Sequence, residues 1–270
     1  MYQASVENTK VIFIRILHKM FVEMKGRKAM SKRRFCAVFF LLLLLGCFGA
    51  EKKVYQAVMQ SDETMEKKIA YLTFDDGPSK VTEQILATLK KENAKATFFL
   101  IGQQITEDTI PLLQQMVEEG HELGIHTYSH KSEEIYQSAD AYVEDALKTA
   151  ERIKEAVGVE PKYFRFPWGS NNCYAKGIKE EVVRQMEEKG YTYFDWNVSG
   201  EDSVGRPDKA SIFRNVKKDA LKYNEPVVLL HDSATNKNTA ETLPDILRLL
   251  KEAGYEFETV DKRSRPYQYH

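Results

Sequence analysis

Two acids stand side by side at the end of an apolar run in TFDDGP, Thr73 to Pro78, and two histidines stand four residues apart in HTYSH, His126 and His130. Two imidazoles and one carboxylate make a catalytic type of metal site, with a coordination position left open for water. Those donors suit one borderline divalent cation, zinc first, with cobalt and nickel fitting the same set. Adjacent acids at a strand end point in different directions, so one can bind the cation while its neighbour takes a proton from water. Taken alone, the histidine pair reads equally well as surface or capping residues, and the Asp-Asp-Gly as a solvated turn. Further polar groups end later apolar runs: Arg165 in RFPWG, Asp195 in DWNVSGED, and His231 with Asp232 in VVLLHD.

Positioning these groups requires elements that end near one another. β-rich runs occur at Ile69 to Asp75, Ala96 to Ile101, Glu122 to His126, Tyr163 to Pro167, Tyr191 to Trp196, Val227 to His231 and Tyr255 to Val260. Amphipathic stretches lie between them, at Val81 to Glu92, Ile110 to Glu119, Ala139 to Val157, Ile178 to Lys189, Lys209 to Lys222 and Thr239 to Ala253. Gly120, Gly158, Gly190 and Gly254 each follow a helix end, where a left-handed residue is expected. The alternation predicts an α/β fold of parallel strands joined by right-handed crossovers. Chemically capable residues at the C-terminal ends of five runs favour a distorted barrel of about seven strands, in a single catalytic domain, over an open sheet with one crevice.

The chain of 270 residues is 43% hydrophobic and 29% charged, which excludes a disordered, collagen-like or multi-spanning protein. Residues 1–34 carry a net +7 and the remainder −8, so no nucleic acid partner is expected for the body. Residues 35–50, FCAVFFLLLLLGCFGA, hold no charge and follow Lys32, Arg33 and Arg34. As a helix the run is roughly 24 Å long, short of the ~30 Å bilayer core, which fits a signal-peptide core better than a permanent anchor. Met30 opens a compact basic start, so residues 1–29 read as an over-extended gene start. Residues 51–67 read as a linker, 68–262 as the domain and 263–270 as a C-terminal tail. Export is expected, with membrane contact through the N-terminal segment only. Cys36 and Cys47 lie in the targeting region, leaving Cys173 alone in the body and no disulfide within it. The sequence carries no sign of an oligomeric state.

TFDDGP, HTYSH, RFPWG, DWNVSGED and VVLLHD follow in the order and rough spacing of the polysaccharide deacetylase family, also called the NodB homology or carbohydrate esterase 4 family, which residues 68–260 resemble. The resemblance implies that Asp76, His126 and His130 form a metal triad and that Asp75 is the general base. It implies that Arg165 orients that base, that the backbone N–H of Trp168 stabilises an oxyanion, that Leu229 lines the pocket for the acetyl methyl group, and that His231 is the general acid. Many relatives tune that histidine with an Asp where this chain has Ser199; Asp195 and Asp202 are both near enough to replace it. For an exported member, the implied substrate is an acetylated cell-wall glycan, peptidoglycan first, then chitooligosaccharide or O-acetylated xylan. A non-catalytic glycan-binding module is the reading from another class, and it would show as loss of a metal ligand or of the base.

Leu44 to Cys47 resembles a bacterial lipoprotein signal. Cells fed radioactive palmitate are expected to label the protein, and Cys47→Ala is expected to abolish the label; a mature N-terminus elsewhere than Cys47 would overturn the lipoprotein expectation.

Overall fold

The computed structural model describes residues 67–205 and 207–269. The apolar run 35–50, Cys47 and nearly all of the expected linker lie outside them. Among the described residues, no helix is long and apolar enough to cross a membrane.

Strand β1 (Ile69–Gly77) runs through the middle of the sheet and is buried on both faces, as a parallel strand covered on either side must be. Ala70, Leu72 and Phe74 face one way, into the core shared with the helices. Tyr71 faces the other, beside Phe99, Phe194 and Val227 in the barrel interior, and the alternation of a strand puts Thr73 and Asp75 on that inner face too. Around it lie β2 (Ala96–Leu100), β3 (Glu122–Ile125), β4 (Tyr163–Phe164), β5 (Thr192–Tyr193), β6 (Val198–Ser199), β7 (Val227–His231) and β8 (Glu256–Phe257). The order is β5-β4-β3-β2-β1-β7-β6, with β8 joining the start of β1, and every pairing is parallel. No ladder joins β5 to β6, so the sheet is a curled barrel with a seam, the distorted barrel expected from the alternation.

Among the described residues, seven α-helices cover the outside: α1 (Lys80–Glu92), α2 (Ile110–Glu118), α3 (Ser132–Ile135), α4 (Ala139–Val157), α5 (Lys179–Glu188), α6 (Lys209–Ala220) and α7 (Lys237–Glu252). Ile85, Leu86 and Leu89 of α1 pack with Ile246, Leu247 and Leu250 of α7 on one side of the sheet. Tyr142, Val143 and Ala146 of α4 meet Phe164, Phe166 and Met186 on another. Ser79 caps α1 in a box with Thr82, and Gly158 ends α4 at φ 72°, a conformation that glycine adopts without steric cost.

β4, β5 and β8 are shorter than the apolar runs imply, while β6 and α3 carry too few residues to show a period. At the seam, the shortening of β5 has a physical cause. Arg165 N–H still bonds Ile125 O and Phe194 N–H bonds Phe164 O, but Asp195 N–H turns to Tyr267 O at 2.7 Å. The segment read as a C-terminal tail thus takes the hydrogen bond that a neighbouring strand would have taken.

Leu72 is fully buried at the centre of β1. Leu72→Ala is expected to cost about 2–5 kcal/mol in urea unfolding; a loss well under 1 kcal/mol would mean that β1 is not the centre of the core.

Candidate active site

A bulge explains how two neighbouring acids reach one site. β1 pairs Asp75 with Phe99 and Gly77 with Leu100, leaving Asp76 as the extra residue, and Asp76 has a φ of 75°. In a regular strand Asp76 would point away from Asp75; a bulged, left-handed residue is re-aimed. Its Oδ1 lies 3.5 Å from His126 Nε2 and 3.4 Å from His130 Nε2. One ligand atom from each of Asp76, His126 and His130 falls within 4.8 Å of the other two.

Each histidine is held by a different device. His126 follows β3 and is buried, with its Nδ1 3.0 Å from the carbonyl of Arg165. Nδ1–H donating there leaves the Nε2 lone pair turned to Asp76, the tautomer a metal ligand needs. Burial, then the charges of His130 and Arg165, hold His126 well below the ordinary histidine value, and burial also lowers His130 against the pull of Asp76. Both imidazoles are therefore neutral donors. The loop between them is fixed by Asp145 of α4, whose carboxylate accepts the N–H groups of Tyr128 and Ser129. Two neutral nitrogens and one carboxylate oxygen converging in this way fit a divalent cation.

Asp75 is buried beneath this group, its Oδ2 3.8 Å from His126 Nε2. Its Oδ1 accepts Arg165 Nη1–H at 2.9 Å. Arg165 is fully buried and donates further to Thr73 Oγ1 at 2.7 Å, Phe194 O at 2.9 Å and Asp195 O at 3.1 Å; its guanidinium also lies 4.2 Å from the centre of the Phe99 ring. Burial raises the Asp75 carboxyl to about 6, against the lowering charges of Arg165 and His231. It is thus a stronger base than an exposed carboxylate and still ionised at neutral pH.

His231 ends β7 opposite Asp75 in register. Asp202, and not Asp195, supports it: Asp202 Oδ1 lies 2.8 Å from His231 Nδ1, and Oδ2 accepts His231 N–H at 2.8 Å and Thr239 Oγ1–H at 2.7 Å. Asp195 points elsewhere and organises the seam, accepting the N–H and hydroxyl of Ser170 and the N–H of Tyr269. Of the two acids that the sequence left open, direction selects Asp202: β6 intervenes and carries the chain back toward β7 before it. Ser199 lies in β6 beside Leu229 and accepts Glu201 N–H. Burial opposes charge on His231, but the Asp202 hydrogen bond and the charges of Asp202, Asp75 and Asp76 outweigh it and raise its value to about 9.

Trp168, at φ 63°, packs with tilted rings against His130 and Tyr174, the ring centres 4.8 and 5.5 Å apart, and Trp168 and Tyr174 are each about half exposed. Asn172 and Tyr136 hold its loop through Pro167 O, and the Trp168 N–H finds no acceptor among the described residues. Leu229 is buried on the same face of β7 as His231. Cys173 is exposed in the loop after RFPWG. Sequence reading did not single out Thr73, Asp145, Ser170, Thr239 or Tyr269, whose roles arise only from folding distant segments together.

A parallel barrel presenting two histidines, two acids and a buried arginine at the C-terminal ends of its strands belongs to the class of metal-assisted hydrolases. Residues 62–194 match the family model of polysaccharide deacetylases. A peptidoglycan-N-acetylglucosamine deacetylase of Bacillus cereus is 38% identical over 206 residues, spanning 74% of this chain and 71% of that protein. The enzyme of that name from Listeria monocytogenes is 36% identical over 197 residues, which cover 73% of this chain and 38% of the longer protein. The catalytic domain of a peptidoglycan N-acetylglucosamine deacetylase from Eubacterium rectale superposes with a TM-score of 0.71 at 32% identity, over 77% of this chain and 94% of that one. A CE4 esterase from Streptococcus mutans gives 0.66 at 31% identity, over 74% and 90%. The chain belongs to the polysaccharide deacetylase family.

In metal-free protein followed by NMR, the His231 imidazole of Asp202→Asn is expected to titrate roughly 1–3 pH units below that of the wild type. An unchanged midpoint would assign retention of its proton to Asp75 and Asp76 alone.

Proposed function

We propose that this chain is an exported, metal-dependent deacetylase that removes N-acetyl groups from amino-sugar polymers, with peptidoglycan as its substrate. The observation that carries the reading is the convergence of Asp76, His126 and His130 above a buried carboxylate that Arg165 fixes in place. Zinc is the expected cation for this donor set, and when bound it would supply a Lewis acid that polarises the acetyl carbonyl and acidifies water.

The chain's own groups account for the remaining steps. Asp75 takes the proton of the water that attacks the acetyl carbon, and Arg165 holds its carboxylate to that geometry. The unpaired N–H of Trp168 is available to the oxyanion that develops on the former carbonyl oxygen. Leu229 lines the space for the methyl group. His231, kept charged by Asp202, gives its proton to the departing amine, so that amine and acetate leave without a covalent acyl-enzyme. The half-exposed Trp168 and Tyr174 offer faces on which a sugar ring can stack. A lipid on Cys47 would keep the enzyme beside the wall glycan.

Acetate release from N-acetylated peptidoglycan is expected to stop on chelation and return with zinc; activity unchanged by a chelator would overturn the metal reading. Chitooligosaccharide and acetylated xylan in the same assay define the substrate, and no acetate from any of the three would leave glycan binding as the better account. Asp75→Asn is expected to keep zinc and lose about 10²–10⁴-fold in kcat, whereas His126→Ala loses both zinc and turnover.

A further inference from the structure

Asp232 is an acid at the mouth of the barrel that none of those steps uses. It follows His231 directly and is fully buried, with one carboxyl oxygen accepting the Thr82 hydroxyl and the other without a hydrogen-bond partner among the described residues. Its main chain is tied to both sides of the Asp76 bulge: Asp232 N–H donates to Asp75 O at 2.9 Å, and Asp232 O accepts the Ser79 hydroxyl at 2.6 Å. A buried carboxyl group with an unpaired oxygen is costly to keep, so its shape and position call for an explanation.

Gly77 supplies one. A Cβ built on Gly77 would lie 2.6 Å from both Cγ and Oδ1 of Asp232 and closer still to Oδ2, and no other atoms come as near. The Asp232 carboxyl group therefore fills the space that a side chain at position 77 would take. Gly77 lies outside the left-handed region, so the requirement for glycine there is one of volume, set by Asp232. On its other side the turn is held by Ile101 N–H, which donates to Gly77 O at 2.9 Å. Between these two supports sits Asp76, whose φ of 75° is not one that an aspartate holds without help.

We propose that Asp232 is a positioning residue for the cation site: seated on Gly77, its carboxyl group clamps the bulge and so keeps Asp76 Oδ1 where it can share a cation with His126 and His130. The inference rests on the metal reading above. It concerns packing against a turn, and it predicts that positions 77 and 232 are coupled although neither touches the cation.

Zinc affinity measured by competition with a chromophoric chelator, with kcat and KM recorded at saturating zinc, tests it. Gly77→Ala is expected to weaken zinc binding about tenfold or more, and Asp232→Ala to weaken it by a lesser but clear factor. In the double variant the added methyl should cost almost nothing, leaving affinity within about threefold of Asp232→Ala alone. Asp232→Asn keeps the shape and should stay within about threefold of the wild type, with KM for the glycan unchanged. Losses from the two alanine substitutions that simply multiply, or an Asp232→Asn as weak as Asp232→Ala, would overturn the clamp. If Gly77→Ala does not fold, the comparison of Asn with Ala at 232 still decides. Wild-type protein that binds no zinc overturns instead the reading on which the clamp rests.

Discussion

The buried guanidinium of Arg165 is the charge around which the mouth of the barrel is built. It has no exposed surface, and its N–H groups go to Asp75, Thr73, Phe194 O and Asp195 O. A planar fork can serve these four acceptors on two separate segments at once; the ammonium of a lysine cannot. Removing one partner of such a pair leaves a bare charge in the core, at a cost of about 3–5 kcal/mol. The same contacts give Asp75 a fixed direction, and they tie β1 to the segments after β4 and β5 where the sheet has no ladder of its own. Order at the base and closure of the barrel are thus one interaction.

Strain gathers at the same end. Among the described residues, six other than glycine have positive φ: Asn93, Asp76, Thr127, His130, Trp168 and Glu201. Asn93 ends α1, while the other five lie in the four segments that form the site. Each costs of order 1–3 kcal/mol and persists only where the surroundings dictate it. Asp145 dictates it for the histidine loop, Asn172 and Tyr136 for the Trp168 loop, and the bonds from Asp202 to His231 and Thr239 for the segment beside Glu201. The barrel's apolar packing provides the rigid frame from which these polar anchors act.

Much of this was legible in the amino-acid sequence because it is local. Strand and helix periods follow from alternating burial, and the residues that meet at the mouth sit at strand ends, where a parallel barrel must bring them together. What escaped was anything set by direction or by distant contact. Asp195 and Asp202 are seven positions apart in one motif, yet β6 reverses their roles: one secures Ser170 and Tyr269, the other His231. No pattern of two residues announces β6, and nothing in KTAER or EDALK marks Asp145 as the anchor of a loop some sixteen positions earlier in the chain. The final residues look like a polar afterthought, but Tyr267 and Tyr269 complete the seam.

The middle position of β1 has a bearing on how the molecule comes into being. Its neighbours are β2, next in the chain, and β7 and β8, which come much later; the bond from Thr73 to Val228 alone spans 155 residues. Loop closure over such a distance must precede any reward from the contact, so a nascent chain lacking its last segments has one flank of its central strand bare. Such a chain stays unfinished until β7 and β8 have been made.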